Sequence, residues 1–129
     1  MLQTSGKRKS AIARAVLKSG TGKVTFNRIP IELVEPRLAR LKLKEPLILA
    51  GDAMKKVDIA VTVKGGGFIG QSDAARVAIG KALVQQFPDL KEVLLNYDRQ
   101  LLISDVRRKE PRKPNSHGKA RSKTQKSYR

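Results

Sequence analysis

The chain of 129 residues has no cysteine and a single histidine, His117. Without cysteine it can form no disulfide, no thiolate zinc site and no cysteine nucleophile. With one imidazole, and no carboxylate pair placed with it at a recognisable spacing, a catalytic triad or metal centre lacks its components. Acidic residues are scarce too, 11 in all. Glu32, Glu35, Asp52, Asp58, Asp89 and Glu92 are scattered, each suited to a helix end or a solvated position, and none suggests an acid or base. Long apolar runs are also missing. No segment is long enough to cross a bilayer, and no amphipathic helix sets large apolar anchors against a basic face. The opening Met1-Leu2-Gln3-Thr4-Ser5-Gly6-Lys7 has no signal-peptide core. These absences argue against an enzyme, a cofactor or metal protein, a membrane protein and a secreted protein, and they agree with a cytoplasmic setting.

What is abundant is positive charge. Lys and Arg number 28, giving a formal net charge of +17 and a pI near 10.8. So much charge on a chain that can build only one modest domain repels itself unless a polyanion neutralises it. Nucleic acid is the first expectation. The charge is also uneven: residues 1–106 hold 18 basic and 10 acidic residues, whereas residues 107–129 hold 10 basic and one acidic. In that last stretch only Ala120 and Tyr128 are apolar, too few to offset the entropy of ordering it alone. The sequence therefore divides into a globular body, 1–106, and an extended basic tail, 107–129, that orders on its partner.

Within the body, Ile12, Arg14, Val16 and Lys18 alternate with Ala11, Ala13, Ala15 and Leu17, and Ser19-Gly20-Thr21-Gly22 leads into Lys23-Val24-Thr25-Phe26. This predicts a β-hairpin. From Pro30 to Ala50 the chain is rich in Leu, Glu and Arg, and Pro36 and Pro46 predict two short helices. Val57, Ile59, Val61 and Val63 alternate with Asp58, Ala60 and Thr62 as a strand with one buried face. Ser72-Asp73 reads as the N-cap of a helix from Ala74 to Phe87, ended by Pro88, with Ala75, Ala78, Ile79, Ala82 and Leu83 as its core stripe. Leu90 to Tyr97 predicts another short helix, and Arg99 to Ser104 a strand or helical turn.

Gly65-Gly66-Gly67-Phe68-Ile69-Gly70 matches the glycine spacing of dinucleotide-binding turns. A dinucleotide fold needs further βα units and an acidic residue ending its second strand; Asp89 has the spacing but follows a helix exit. Two other readings stay open: a turn and close backbone packing, or exposed N–H groups facing an RNA phosphate. The knot Gly6-Lys7-Arg8-Lys9-Ser10, followed by Arg14 and reinforced by Lys18, Lys23 and Arg28, reads as a phosphate-binding surface rather than a solvated face. The tail's Arg and Lys, spaced by Pro, Gly, Ser and Asn, can follow RNA into crevices, and His117 can stack there. A nuclear-import or solubilising tail, and a free architectural DNA binder, are the competing readings.

The segments Gly6-Lys7-Arg8-Lys9-Ser10-Ala11-Ile12-Ala13-Arg14-Ala15, Val61-Thr62-Val63-Lys64-Gly65-Gly66-Gly67, Gly70-Gln71-Ser72-Asp73-Ala74-Ala75-Arg76, Asp105-Val106-Arg107-Arg108 and Gln125-Lys126-Ser127-Tyr128-Arg129 occur in this order. Together they resemble the universal small-subunit ribosomal protein nine family, in its archaeal and eukaryotic style, over essentially the whole chain. The resemblance implies an α/β (α+β) single domain in which a mixed β-sheet packs against helices with a left-handed β-α-β crossover. It implies a place in the head of the small subunit, a tail threaded through ribosomal RNA, and a C-terminus near the anticodon stem-loop of peptidyl-site tRNA. The partners it implies are small-subunit ribosomal RNA, peptidyl-site tRNA and neighbouring ribosomal proteins, with no cofactor and no small-molecule substrate. On this reading Lys7, Arg8, Lys9, Arg14, Arg28 and Arg76 on the body bind ribosomal RNA, as do Arg107, Arg108, Lys109, Arg112, Lys113, Lys119, Arg121 and Lys123 in the tail. Lys126, Tyr128 and Arg129 reach the tRNA, Tyr128 standing where bacterial relatives usually carry Lys.

Overall fold

The alternation around Val57 becomes the middle of a five-stranded sheet. The computed structural model describes residues 1–114, and its strands are β1 (Leu2–Arg8), β2 (Ala11–Ser19), β3 (Val24–Phe26), β4 (Ile29–Pro30) and β5 (Val57–Lys64). Their order across the sheet is β1-β2-β5-β3-β4. β1 with β2, β2 with β5, and β3 with β4 are antiparallel, while β3 and β5 are parallel. The sheet is therefore mixed. Among the helices, α1 (Arg37–Ala50) lies in the connection from β4 to β5, and α2 (Phe68–Gln86) and α3 (Leu90–Tyr97) follow β5.

One face of the sheet is buried. Val57, Ile59, Val61 and Val63 from β5 and Ala11, Ala13, Ala15 and Leu17 from β2 meet the stripe Ala74, Ala75, Ala78, Ile79, Ala82 and Leu83 of α2. The alanines of β2 and α2 let helix and sheet approach closely in places, while Leu17, Ile59, Ile79 and Leu83 fill the space between them. At Gly6 the approach is closest: a Cβ built there would lie 2.2 Å from the Ala74 carbonyl oxygen and 2.8 Å from the Ala78 nitrogen. Beside it, the buried Thr4 hydroxyl donates to the Ala78 carbonyl at 2.7 Å.

Three expectations are corrected. Strand β2 does not pair with β3, because β5 lies between them; the hairpin partner of β2 is β1, which the basic knot disguised. Residues 30–50 hold one helix, not two: after a 3₁₀ turn at Ile31–Leu33, α1 runs through Pro46. A proline inside a helix forfeits one backbone hydrogen bond, but Pro46 is fully buried together with Leu43, and that packing outweighs the loss. Finally, α2 begins at Phe68, before Ser72, and its N-cap is Gly67. The buried Ser72 hydroxyl bonds back to the carbonyls of Phe68 (3.0 Å) and Ile69 (2.9 Å), the alternative that serine has to capping. The short helix at 90–97 forms, and Arg99–Leu101 is a helical turn.

At one end of the sheet the β2–β3 loop is held by Asp58, whose Oδ1 accepts the backbone N–H groups of Thr21 (3.0 Å), Gly22 (3.0 Å) and Lys23 (2.9 Å). The bond from Lys23 leads those that hold the Asp58 carboxyl below its usual pKa, against the opposing effect of burial. A depressed folded-state pKa contributes stability above the ordinary carboxylate pKa of about 4, lost as pH falls through that value and below it. Asp58→Asn is therefore expected to lower the urea midpoint at pH 6.5 and to shrink the drop between pH 6.5 and pH 3.5. Equal drops for both chains would contradict this role.

Candidate nucleic-acid interface

The opposite end of the sheet gathers cations. β5 ends at Lys64, opposite Ile12 near the start of β2, and the two-residue turn Lys9-Ser10 joins β2 to the end of β1. Because β3 runs parallel to β5, its turn to β4, Asn27-Arg28, emerges at this same end. It is tied there by the Val63 N–H donating to Asn27 Oδ1 and the Asn27 N–H donating to the Val61 carbonyl, both at 2.8 Å. Lys9 (φ 53°), Asn27 (φ 51°) and Arg28 (φ 70°) take the left-handed backbone that such tight turns demand. Lys7, Arg8, Lys9, Arg28 and Lys64 thus share one end of the molecule. Lys18 and Lys23 do not: they flank Asp58 at the other end, so the hairpin expected to carry them to Lys9 does not exist.

Arg14 lies on the open face of the sheet, in register with Ser5 of β1 and Thr62 of β5. With Gln3, Ile12, Val16, Thr62 and Lys64 it lines a shallow groove of about 390 Å³.

Arg8 and Arg76 are held by carboxylates. Arg76, on α2, pairs with Glu45 of α1 and with Asp98 at 3.0 Å. Arg8 donates through Nη1 to Asp105 at 2.7 Å, and its Nε lies 3.9 Å from Asp73, which also accepts from Lys42 Nζ at 2.9 Å. Of these, Arg8, Asp73, Arg76, Asp98 and Asp105 border a cleft of about 380 Å³ lined also by Lys7 and Arg107. Burial alone would raise the Asp98 pKa; the Gln100 N–H and the Arg76 guanidinium outweigh it and leave the carboxyl depressed. The Asp105 carboxyl is held far below the carboxylate range, first by the Arg107 side chain and then by the Arg107 backbone N–H, and the Arg107 guanidinium is pushed up in return.

Past Leu101 the described chain forms no further regular element. Arg107 folds onto Asp105 through its backbone N–H (2.9 Å to Oδ1), Nε (2.9 Å to Oδ2) and Nη2 (2.6 Å to Oδ2). Arg108 Nη1 then donates to the Lys9 carbonyl at 3.3 Å. Lys109, Arg112 and Lys113 follow without regular structure. Lys119, Arg121, Lys123, Lys126, Tyr128, Arg129 and His117 lie outside the described residues.

The glycine run connects β5 to α2. A Cβ on Gly65 (φ +81°) would sit 2.5 Å from the Ser10 carbonyl oxygen, so the run turns while packed on the β1–β2 turn. The sheet contains one parallel pair rather than the successive βα units of a dinucleotide fold. Among the described residues no group of His, Asp or Glu could hold a metal ion, and no helix is long and apolar enough to cross a membrane.

Sequence reasoning missed Lys64 and the acids Asp73, Asp98 and Asp105. Lys64 had a signal: it is the next outward position after Ala60 and Thr62. The contacts that bring the acids to this cleft had none, because Arg76 lies 22 residues from Asp98, Lys42 31 from Asp73 and Arg8 97 from Asp105; only the Arg107 partner of Asp105 is a sequence neighbour.

Residues 6–129 match the family described as ribosomal protein S9/S16. Two proteins named small ribosomal subunit protein uS9, from Methanococcus maripaludis strains S2 and C7, are each 52% identical to the chain over 132 residues, spanning 100% of it and 98% of the relative. A uS9 from Methanococcus vannielii is 50% identical over the same spans.

Proposed function

This chain belongs to the ribosomal protein S9/S16 family, and from that premise we propose that its basic end and tail bind small-subunit ribosomal RNA and that its C-terminus contacts peptidyl-site tRNA. It is a structural, non-enzymatic constituent of the small ribosomal subunit. Its work is assembly and positioning, with neighbouring ribosomal proteins covering other parts of the surface.

The observation that carries the RNA reading is the convergence of Lys9, Arg28, Lys64 and the root of the tail at one end of the sheet. Short turns and strand ends hold these charges on a rigid scaffold, so closely spaced phosphates are met without ordering long flexible loops. Arg14 and Lys64 extend the surface onto the open sheet face. That face carries aliphatic side chains and no aromatic ring at Gln3, Ile12, Arg14, Val16, Thr62 or Lys64, so it suits sugar–phosphate backbone rather than stacked bases. Arg107, Arg108, Lys109, Arg112 and Lys113 lead away from it, and Lys119, Arg121 and Lys123 continue the charge, with Lys126, Tyr128 and Arg129 at the tRNA end. The left-handed hand of the β3–α1–β5 crossover is part of the same proposal.

Sedimentation of a lysate in low and high salt tests this. The chain is expected to travel with small subunits and to stay with them through a high-salt wash. A chain left at the top of the gradient, or following DNA, would sink the RNA assignment and favour an architectural DNA binder.

A further inference from the structure

The acids at the root of the tail are out of place in a polyanion binder. Only 11 of 129 residues are acidic, yet Asp73, Asp98 and Asp105 all border the cleft beside the basic end, where by charge alone they oppose a phosphate. Asp105 is the most engaged. Its side chain is 18% exposed, against 75% for Arg107, so the carboxylate is covered while the guanidinium that folds over it faces solvent.

We propose that Asp105 is a positioning residue, which fixes the first tail residues so that Arg107, Arg108 and Lys109 close with Lys9 and Ser10 around a preformed site for consecutive phosphates of an RNA backbone. The inference rests on the RNA-binding reading above and deepens it. These five residues line a cleft of about 670 Å³ that contains four cations and no carboxylate. Asp105 grips Arg107 by its Nε and Nη2, which turns the Nη1 edge of the guanidinium outward. Arg8 holds the same carboxylate from β1, so the grip is anchored to the sheet. The Arg108 bond to the Lys9 carbonyl then lays the tail against the β1–β2 turn. With the Arg107 and Arg108 guanidiniums held by their bonds, two of the four cations meet phosphates with little further loss of side-chain freedom.

The sign of one substitution separates positioning from net charge. Asp105→Asn adds one positive charge, and electrostatics alone makes such a chain bind RNA more tightly. If the untethered root visits the competent pose about a fifth of the time, affinity for a full-length small-subunit ribosomal RNA transcript falls about fivefold instead. Asp52→Asn, at an acid exposed far from the tail, is the control: it makes the same charge change and is expected to bind as tightly as the native chain or slightly more so. Binding by Asp105→Asn equal to or tighter than native overturns the positioning role while leaving the RNA reading intact. A native chain that does not bind the transcript overturns both.

A second measurement needs no RNA. The chain lacks cysteine, so paired spin labels at Thr62→Cys and Lys109→Cys report the distance from sheet to tail root. A narrow distribution that broadens on Asp105→Ala, with an unchanged cooperative melt, is the expected result. A distribution already broad with Asp105 in place, or one unaltered by its loss, overturns the proposal.

Discussion

Ending the chain at Val106 is expected to weaken binding to small-subunit ribosomal RNA by about 3.5 to 4.5 orders of magnitude at 0.1 M salt. The segment removed carries 10 of the 28 basic residues and one of the 11 acidic ones. If half of those ten cations reach phosphates, the slope of log K against log salt becomes shallower by about 3.5 to 4.5, and at 0.1 M salt each contact is worth roughly five- to eightfold. The body should survive the cut. Its last regular element ends at Leu101, and Asp105 keeps its bond to Arg8. A filter-binding titration across a salt series is therefore the right measurement, with the melting temperature as a check on the body. An unaltered slope would mean that the tail touches no phosphates, and the body alone would have to account for binding.

Gly6→Val is expected to be the most damaging single change in the body, costing about 3 kcal/mol or more. The new side chain would enter space already held by the backbone of α2 at Ala74 and Ala78, and backbone cannot rotate aside as a side chain can. Helix and sheet would have to separate. That would loosen the alanine-rich contact and stretch the Thr4 bond to Ala78. Against a total stability of about 5 to 15 kcal/mol for an ordinary domain, such a loss is large. Urea unfolding followed by circular dichroism measures it. A native midpoint for even the smaller change Gly6→Ala would contradict the close approach of strand to helix.

The parts of the fold legible in the sequence are those where one periodicity acts alone. β5 alternates cleanly because only one of its faces is buried, and the stripe of α2 shows because α2 covers that face. Reading failed where a local rule was overruled by a distant contact. Pro46 would break an isolated helix but is packed inside this one, and Ser72 satisfies its hydroxyl within the helix it was expected to start. Strand order was hidden for a similar reason: adjacent strands in sequence usually pair, and here β5 comes between β2 and β3. The candidate site was legible as charge and not as geometry. Composition and the knot at Lys7 to Lys9 point to a polyanion, but only the register brings Lys64 and Arg28 to that knot. The pairing of Asp105 with Arg8 spans 97 residues and leaves no local trace.

The place of β5 at the centre of the sheet also sets a timetable. Synthesis delivers β2 and β3 early, yet the strand that both must flank emerges only when residue 64 has been made. Until then two strand edges await a partner, and the covering helix α2 comes later still, so the amino-terminal half has no stable structure to adopt by itself. Folding is thus deferred to the second half of the chain's emergence, when sheet and cover can close together. The most highly charged segment arrives last, onto a body already complete.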